Sequence, residues 1–234
     1  VKLRDFLYFW VAPTLVYRVD GYPKTASIRP KFLFRKLGAG IGLVMVIYIL
    51  ITEQFLPVLA RTQELTWIEV LVMLILPCSL IFFSLFFLVF EVILNFAGEL
   101  TMFADRHFYD AWWNATSMDE FSRKWNRPVH DWLLQYIYLG SMNAGLGKLF
   151  SQGATFLFSA ILHELILAVT FRRPRAFLLL LMMGQIPLIR IFKDRVTNRH
   201  SRRFANLFFW LGMFVGPALL SVTYAREWYI AEKL

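Results

Sequence analysis

Cysteine is almost absent from the 234-residue chain, with Cys78 the only one. One thiol excludes an internal disulfide framework, so nothing in the sequence calls for an oxidising compartment. HExxH is missing, and no acids gather at ligand spacing, so neither a metal nor a bound cofactor is expected. A Gly-rich phosphate loop and GxSxG are missing too, which leaves nucleotide hydrolysis and serine esterase chemistry without support. Acidic residues are scarce: 16 Asp and Glu stand against 25 Lys and Arg, for a formal charge of +9. Because the bases cluster beside apolar runs, they are better explained by topology and anionic headgroups than by nucleic acid, which is not expected as a partner. The chain opens on Val1 without a secretory signal pattern and reads as a C-terminal fragment of a longer protein.

Apolar residues are abundant. Hydrophobic side chains make up 58% of the chain and aromatics 18%, with a mean hydropathy of +0.54. This composition predicts an all-α, polytopic transmembrane helical bundle with interfacial helices, forming one membrane domain over residues 1–234. Val1 to Lys36 mixes aromatic clusters, four breakers (Pro13, Gly21, Pro23, Pro30) and eight Lys or Arg, and should lie in the membrane interface. Two spans are expected in 37–96. The first runs from Leu37 to Thr52 and on towards Leu59; the second runs from Trp67 to Phe96, with Pro77 bending it. Residues 97–149 are polar and aromatic. Three further spans are expected in 150–225: Phe150 to Phe171, Ala176 to Phe192 with Arg190 near its end, and Phe204 to Ala225. Counting bases at span ends puts Val1 to Lys36, the central run and the basic loop Lys193 to Arg203 (with Arg195) on one side, the cytosol. The linker Arg172, Arg173, Pro174, Arg175 breaks the rule, so its flanking spans either stop short or let the arginines snorkel.

Two features carry chemistry. One is the run from Phe103 to Leu133, FADRHFYDAWWNATSMDEFSRKWNRPVHDWL, in which eight of 31 residues are aromatic. The other is His163, followed by Glu164 inside an apolar span, where a polar group is costly and usually functional. Neutral imidazole accepts a proton near neutral pH, so His163 fits a general base; it equally fits a packing histidine bonded to a nearby carbonyl or to Ser159. Glu164 points about 100° away and should pair with another helix. Asn126 can donate its amide to a substrate carbonyl or, alternatively, start the helix that Pro128 opens. His130, four residues on, could contact thioester or phosphate, or simply sit at the interface. Phe108, Tyr109, Trp112 and Trp113 could wall a pocket for a long apolar ligand, although Trp and Tyr also populate any membrane interface. Ser117 and Glu120 form a capping-box pattern that predicts a helix from Met118 to about Trp125 with Phe121 and Trp125 on one face. The sequon Asn114-Ala115-Thr116 falls on the cytosolic side and should carry no glycan.

FYDAWWN resembles the FYxDWWN signature of the membrane-bound O-acyltransferase family, in its branch of sterol and diacylglycerol O-acyltransferases. WNRPVHDWLLQYIY and SAILHEL are similar to that branch's WNxxVHxWL block and its HE-containing helix. APTLVYRVDGYPKT looks like its PTLxYxxxYPRT segment, and MMGQIPL like another shared block. The resemblance runs from about Phe6 to Tyr229. It implies an internal reaction chamber in the endoplasmic reticulum membrane, with His163 as catalytic base and Asn126 assisting. The implied reaction moves a long-chain acyl group from acyl-CoA to a lipid hydroxyl. Asn114 and Trp125 then join Phe108, Tyr109, Trp112, Trp113 and His130 as candidate contacts for acyl-CoA or acceptor. Expected partners are acyl-CoA, a sterol or diacylglycerol, membrane lipids and a second copy of the chain. VAPTLVYR and AREWY look closer to the sterol branch, while WNRPVH and GQIPL also resemble diacylglycerol enzymes. A transporter with a His163–Glu164 proton relay is the non-enzymatic alternative. One departure stands inside the signature: the acid is Asp110, and Ala111 occupies its usual place.

Overall fold

The computed structural model describes residues 2–193 and 198–233, with side chains described for 2–187 and 198–230. Arg190 and Arg195, assigned above to a span end and a basic loop, lie outside the described side chains.

Among the described residues, four helices are long and apolar enough to cross a membrane: Pro30–Ala60, Trp67–Leu100, Lys148–Thr170 and Arg199–Ile230. The membrane-helix bundle expected from composition is therefore present. Three of the four outrun their predicted ends. The first begins at Pro30 rather than Leu37, because proline suits the opening turn of a helix and the bases that follow can ride on the helix at headgroup level. The second runs on to Leu100 and the last from Arg199 to Ile230, since charges near a membrane surface do not stop a helix. Phe177–Lys193, the predicted fourth span, has 17 residues, or roughly 25 Å, short of a ~30 Å hydrocarbon core. Pro77 lies inside an unbroken helix, and the irregular turns come elsewhere. Wide π-type turns occupy Leu50–Phe55, Phe87–Ile93, Leu133–Tyr138 and Ser221–Arg226. Two of them place Glu91 and Tyr224 in polar contacts, in line with the association of such turns with functional positions.

The central run folds as its local signals dictate. Met118–Trp125 is a helix with Ser117 as N-cap, whose hydroxyl accepts from Glu120 N at 3.2 Å. The reciprocal half of the capping box is different from the prediction: the Glu120 carboxylate reaches Thr116 N at 2.9 Å and Thr116 Oγ1 at 3.0 Å, not Ser117 N. Arg127–Trp132 follows, with Pro128 in its first turn, and it continues through Leu133 as far as Asn143 instead of ending as a short helix.

Contacts between segments define two ends. At one end, Lys24 and Phe103 form an antiparallel bridge, Thr25 N donates to Met102 O at 2.8 Å, and Arg18 faces Asp105 at 3.6 Å. Asn206, near the start of the last helix, reaches the same end through Trp113. At the other end, Arg226 donates to Thr62 O at 3.2 Å and Phe171 packs on Tyr224. The initial segment, the central run and the start of the last helix thus share one end, as the topology requires. Outward faces are apolar: Phe34, Ile41, Leu76, Val169 and Phe208 are each at least 60% exposed, as lipid-facing residues should be.

Candidate active site

His163 lies on the Lys148–Thr170 helix with its ring exposed on the surface of the chain. Its Nδ1 stands 2.7 Å from Ser159 O. A carbonyl can only accept, so Nδ1 carries the proton in the neutral ring and Nε2 keeps its lone pair. The contact that marks a packing histidine therefore leaves a base atom free.

Asn126 repeats this logic. It caps the Arg127–Trp132 helix, its Oδ1 accepting from Val129 N at 3.2 Å. The cap uses the acceptor and fixes the amide, leaving the Nδ2 donor with no partner among the described residues. The two helices that carry these residues are neighbours: the Leu133–Tyr138 turn packs along the histidine helix, and the rings of Trp132 and Phe158 lie 6.1 Å apart.

Glu164 turns away from His163, as the helical geometry predicts. It is buried, and both its oxygens accept: from Ala176 N at 2.8 Å, Leu179 N at 3.2 Å and, at 2.9 and 3.0 Å, from Tyr224 OH. Tyr224 OH in turn accepts from Phe177 N at 3.1 Å and Leu178 N at 3.0 Å. A carboxylate and a phenol together satisfy the opening amides of the Phe177–Lys193 helix, whose positive end favours the anion. This fixes the rotation of the histidine helix. Sequence reading missed Tyr224, which sits 60 residues from its partner.

The aromatic candidates divide by burial. Phe108 and Trp112 are buried in a cluster with Phe86, Phe90, Phe103, Phe209 and Met213. Trp125 packs on Phe86 with centroids 4.3 Å apart and stacks on Phe82 at 5.0 Å. Such ring pairs contribute about 0.5–1.5 kcal/mol each beyond area. Here these three rings hold the signature against the second and last helices. Trp113 and Asn114 are exposed, and Tyr109 is half-buried. Tyr109 OH donates to Glu91 at 2.5 Å, and burial together with that carboxylate pushes the phenol up to about 12, so it stays a neutral donor. Lys36 reaches the other Glu91 oxygen at 3.1 Å. His130 is half-buried, and burial lowers its pKa from the ordinary value, keeping the ring neutral.

Backbone clamps, not visible in the sequence, hold the signature loop. Asn206 donates to Trp113 O and Ala115 O at 2.9 and 2.8 Å, and Trp210 donates to Trp113 O at 3.1 Å. Asp110, the displaced acid, pairs with His107 at 2.7 Å and Arg127 at 3.1 Å, joining the FYDAWWN and WNRPVH blocks. Among the described residues no three His, Cys, Asp or Glu come together as metal ligands.

Residues 4–225 match the family model described as MBOAT, membrane-bound O-acyltransferase family. The chain is 33% identical, over 96% of its length, to the "Probable sterol O-acyltransferase 1" of Schizosaccharomyces pombe, covering 43% of that protein. It is 32% identical to "Sterol O-acyltransferase 2" of Saccharomyces cerevisiae, over 96% of this chain and 37% of the relative. It is 31% identical to "Diacylglycerol O-acyltransferase 1" of Dictyostelium discoideum, over 98% of this chain and 39% of the relative. The chain thus spans less than half the length of these relatives.

Proposed function

The chain belongs to the membrane-bound O-acyltransferase family, and from that premise we propose that it carries the reaction centre for transfer of a long-chain acyl group from acyl-CoA to the hydroxyl of a sterol. The observation that supports this most directly is the division of atoms at His163 and Asn126: their local contacts occupy Nδ1 and Oδ1 and leave Nε2 and Nδ2 free. His163 Nε2 takes the proton from the acceptor hydroxyl as its oxygen attacks the thioester carbonyl. The C–S bond then breaks, and the thiolate of CoA regains that proton from the imidazolium, giving ester and free thiol. Asn126 Nδ2 donates to the carbonyl oxygen as negative charge develops there. No acyl-enzyme is required.

CoA is a soluble thiol, so the end that holds the central run faces the cytosol, with the protein in the endoplasmic reticulum membrane. The sterol relatives favour a sterol acceptor. The diacylglycerol relative, at nearly the same identity, supports diacylglycerol as a second reading. The test is acyl-CoA-dependent ester formation by the full-length natural protein in microsomes offered cholesterol, ergosterol or diacylglycerol. Steryl ester as the main product is expected; triacylglycerol alone would move the assignment to diacylglycerol, and no ester with any acceptor would end the acyltransferase reading.

A further inference from the structure

The first membrane helix opens with an imbalance of charge. Arg29, Arg35, Lys36 and Arg106 all lie within 5.7 Å of the Phe32 ring centre, and Lys31 is exposed beside them. Two acids answer these five cations. Glu99, fully buried, holds Arg29 and Arg106 at 2.8 and 2.6 Å, and Glu91 holds Lys36 at 3.1 Å. Lys31 and Arg35 have no carboxylate partner among the described residues. The first turn of the helix contains no acid, so its positive end adds to the excess instead of offsetting it. An open cleft runs along this turn, lined by Ile28, Arg29, Pro30, Lys31, Phe32 and Arg35. Two apolar residues flank the bases outward, Phe34 at 74% and Ile28 at 42% exposure.

We propose that this cleft binds the phosphate headgroup of an anionic glycerophospholipid, with Lys31 and Arg35 contacting the phosphate and Phe34 lying against the lipid's apolar portion. A site for a soluble phosphate would need the cations but not the exposed phenylalanine. The position at the entrance of a membrane-spanning helix places the cations at headgroup depth, where each Lys or Arg strengthens anionic-lipid binding by about fivefold. Arg29 and Lys36 are already held by Glu99 and Glu91, so they build the wall of the cleft while Lys31 and Arg35 have their charged heads free to meet the phosphate.

The experiment uses the full-length natural protein, reconstituted in nanodiscs of phosphatidylcholine with a minor share of phosphatidylglycerol. Native mass spectrometry reads which lipid stays bound. Preferential retention of phosphatidylglycerol is expected, with Lys31→Gln/Arg35→Gln losing it by about an order of magnitude or more, as two such cations imply. Both side chains are exposed and have no carboxylate partner among the described residues, and Arg35 keeps only a contact with the Phe32 ring, so the thermal midpoint should move little. Phe34→Ala should weaken lipid retention without changing the response to inorganic phosphate. Retention unaltered in Lys31→Gln/Arg35→Gln would overturn the site. So would an equal loss in the control Arg202→Gln/Arg203→Gln, exposed bases on the last helix, because the effect would then be general charge. Displacement of the lipid by inorganic phosphate at similar concentration would overturn the lipid assignment.

Discussion

At the scale of single residues, the roles proposed for two side chains do not conflict with their local contacts, because each side chain uses different atoms for the two. The Ser159 carbonyl holds the proton of His163 on Nδ1, and the Val129 amide holds the oxygen of Asn126. In the full-length protein, His163→Ala should therefore reduce ester formation by about 10²- to 10⁴-fold, the usual worth of general-base help, while membrane insertion stays normal. Turnover is to be measured with chemistry rate-limiting; activity above roughly a tenth of wild type would remove the histidine from the reaction. Asn126→Ala has two separable effects. Loss of the cap should cost about 0.5–2 kcal/mol of stability, whereas loss of a donor to the developing oxyanion should lower turnover by about 10² to 10³ per folded molecule. Because the carbonyl belongs to the acyl donor, the drop should be alike with sterol and diacylglycerol. Turnover on both acceptors, normalised to folded protein, checks this; a change in acceptor preference would place Asn126 at the acceptor instead.

At the scale of elements, the histidine helix is positioned by its neighbour. Glu164 and Tyr224 hold the first amides of the Phe177–Lys193 helix, so removing the Tyr224 hydroxyl strips one donor from a buried carboxylate and one acceptor from two backbone N–H groups. Tyr224→Phe should destabilise the protein by about 1.5–3 kcal/mol, the range for hydrogen bonds to charged groups. It should also speed amide exchange at Phe177 and Leu178 above all others, and unchanged exchange there would mean that the phenol does not anchor the helix. This arrangement also marks where sequence reading stops. The Met118–Trp125 helix is legible in the sequence because its signals, Ser117 and the amphipathic spacing, are local. The partner of Glu164 was foreseen only as another helix, since nothing local distinguishes Tyr224 from other aromatics near a membrane interface. Span ends differ for a related reason: hydropathy registers the charges of Lys31, Arg35 and Glu99, while the backbone stays helical through them because each reaches water or a partner. At the site, residue types and spacing make His163 and Asn126 candidates with open alternatives, and only the family resemblance gives them roles; which atom of each is free depends on backbone contacts that a sequence does not display.

At the scale of the molecule, one end of the bundle gathers the initial segment, the signature run and the start of the last helix, and the opposite end gathers the 61–66 turn, the 171–176 linker and Tyr224. The Arg172 to Arg175 linker, which breaks the charge rule, belongs to that second end. There Arg175 is paired with Glu227, which takes one of the three linker bases out of the count. Its bases are thus weak evidence for sidedness, and the eight Lys and Arg of Val1 to Lys36 outweigh them. This makes the exposed Asn114 a reporter of orientation, because its side chain is accessible and its sequon intact. In microsomal translation of the full-length protein, Asn114 should remain unglycosylated, whereas a sequon engineered into the turn between Arg61 and Thr66 should be modified, since that turn would then face the lumen. The paired design separates sidedness from poor acceptor geometry. A glycan on Asn114 with none at the engineered site would invert the protein, put His107, Asp110 and Arg127 in the lumen, and leave acyl-CoA without a cytosolic route to His163.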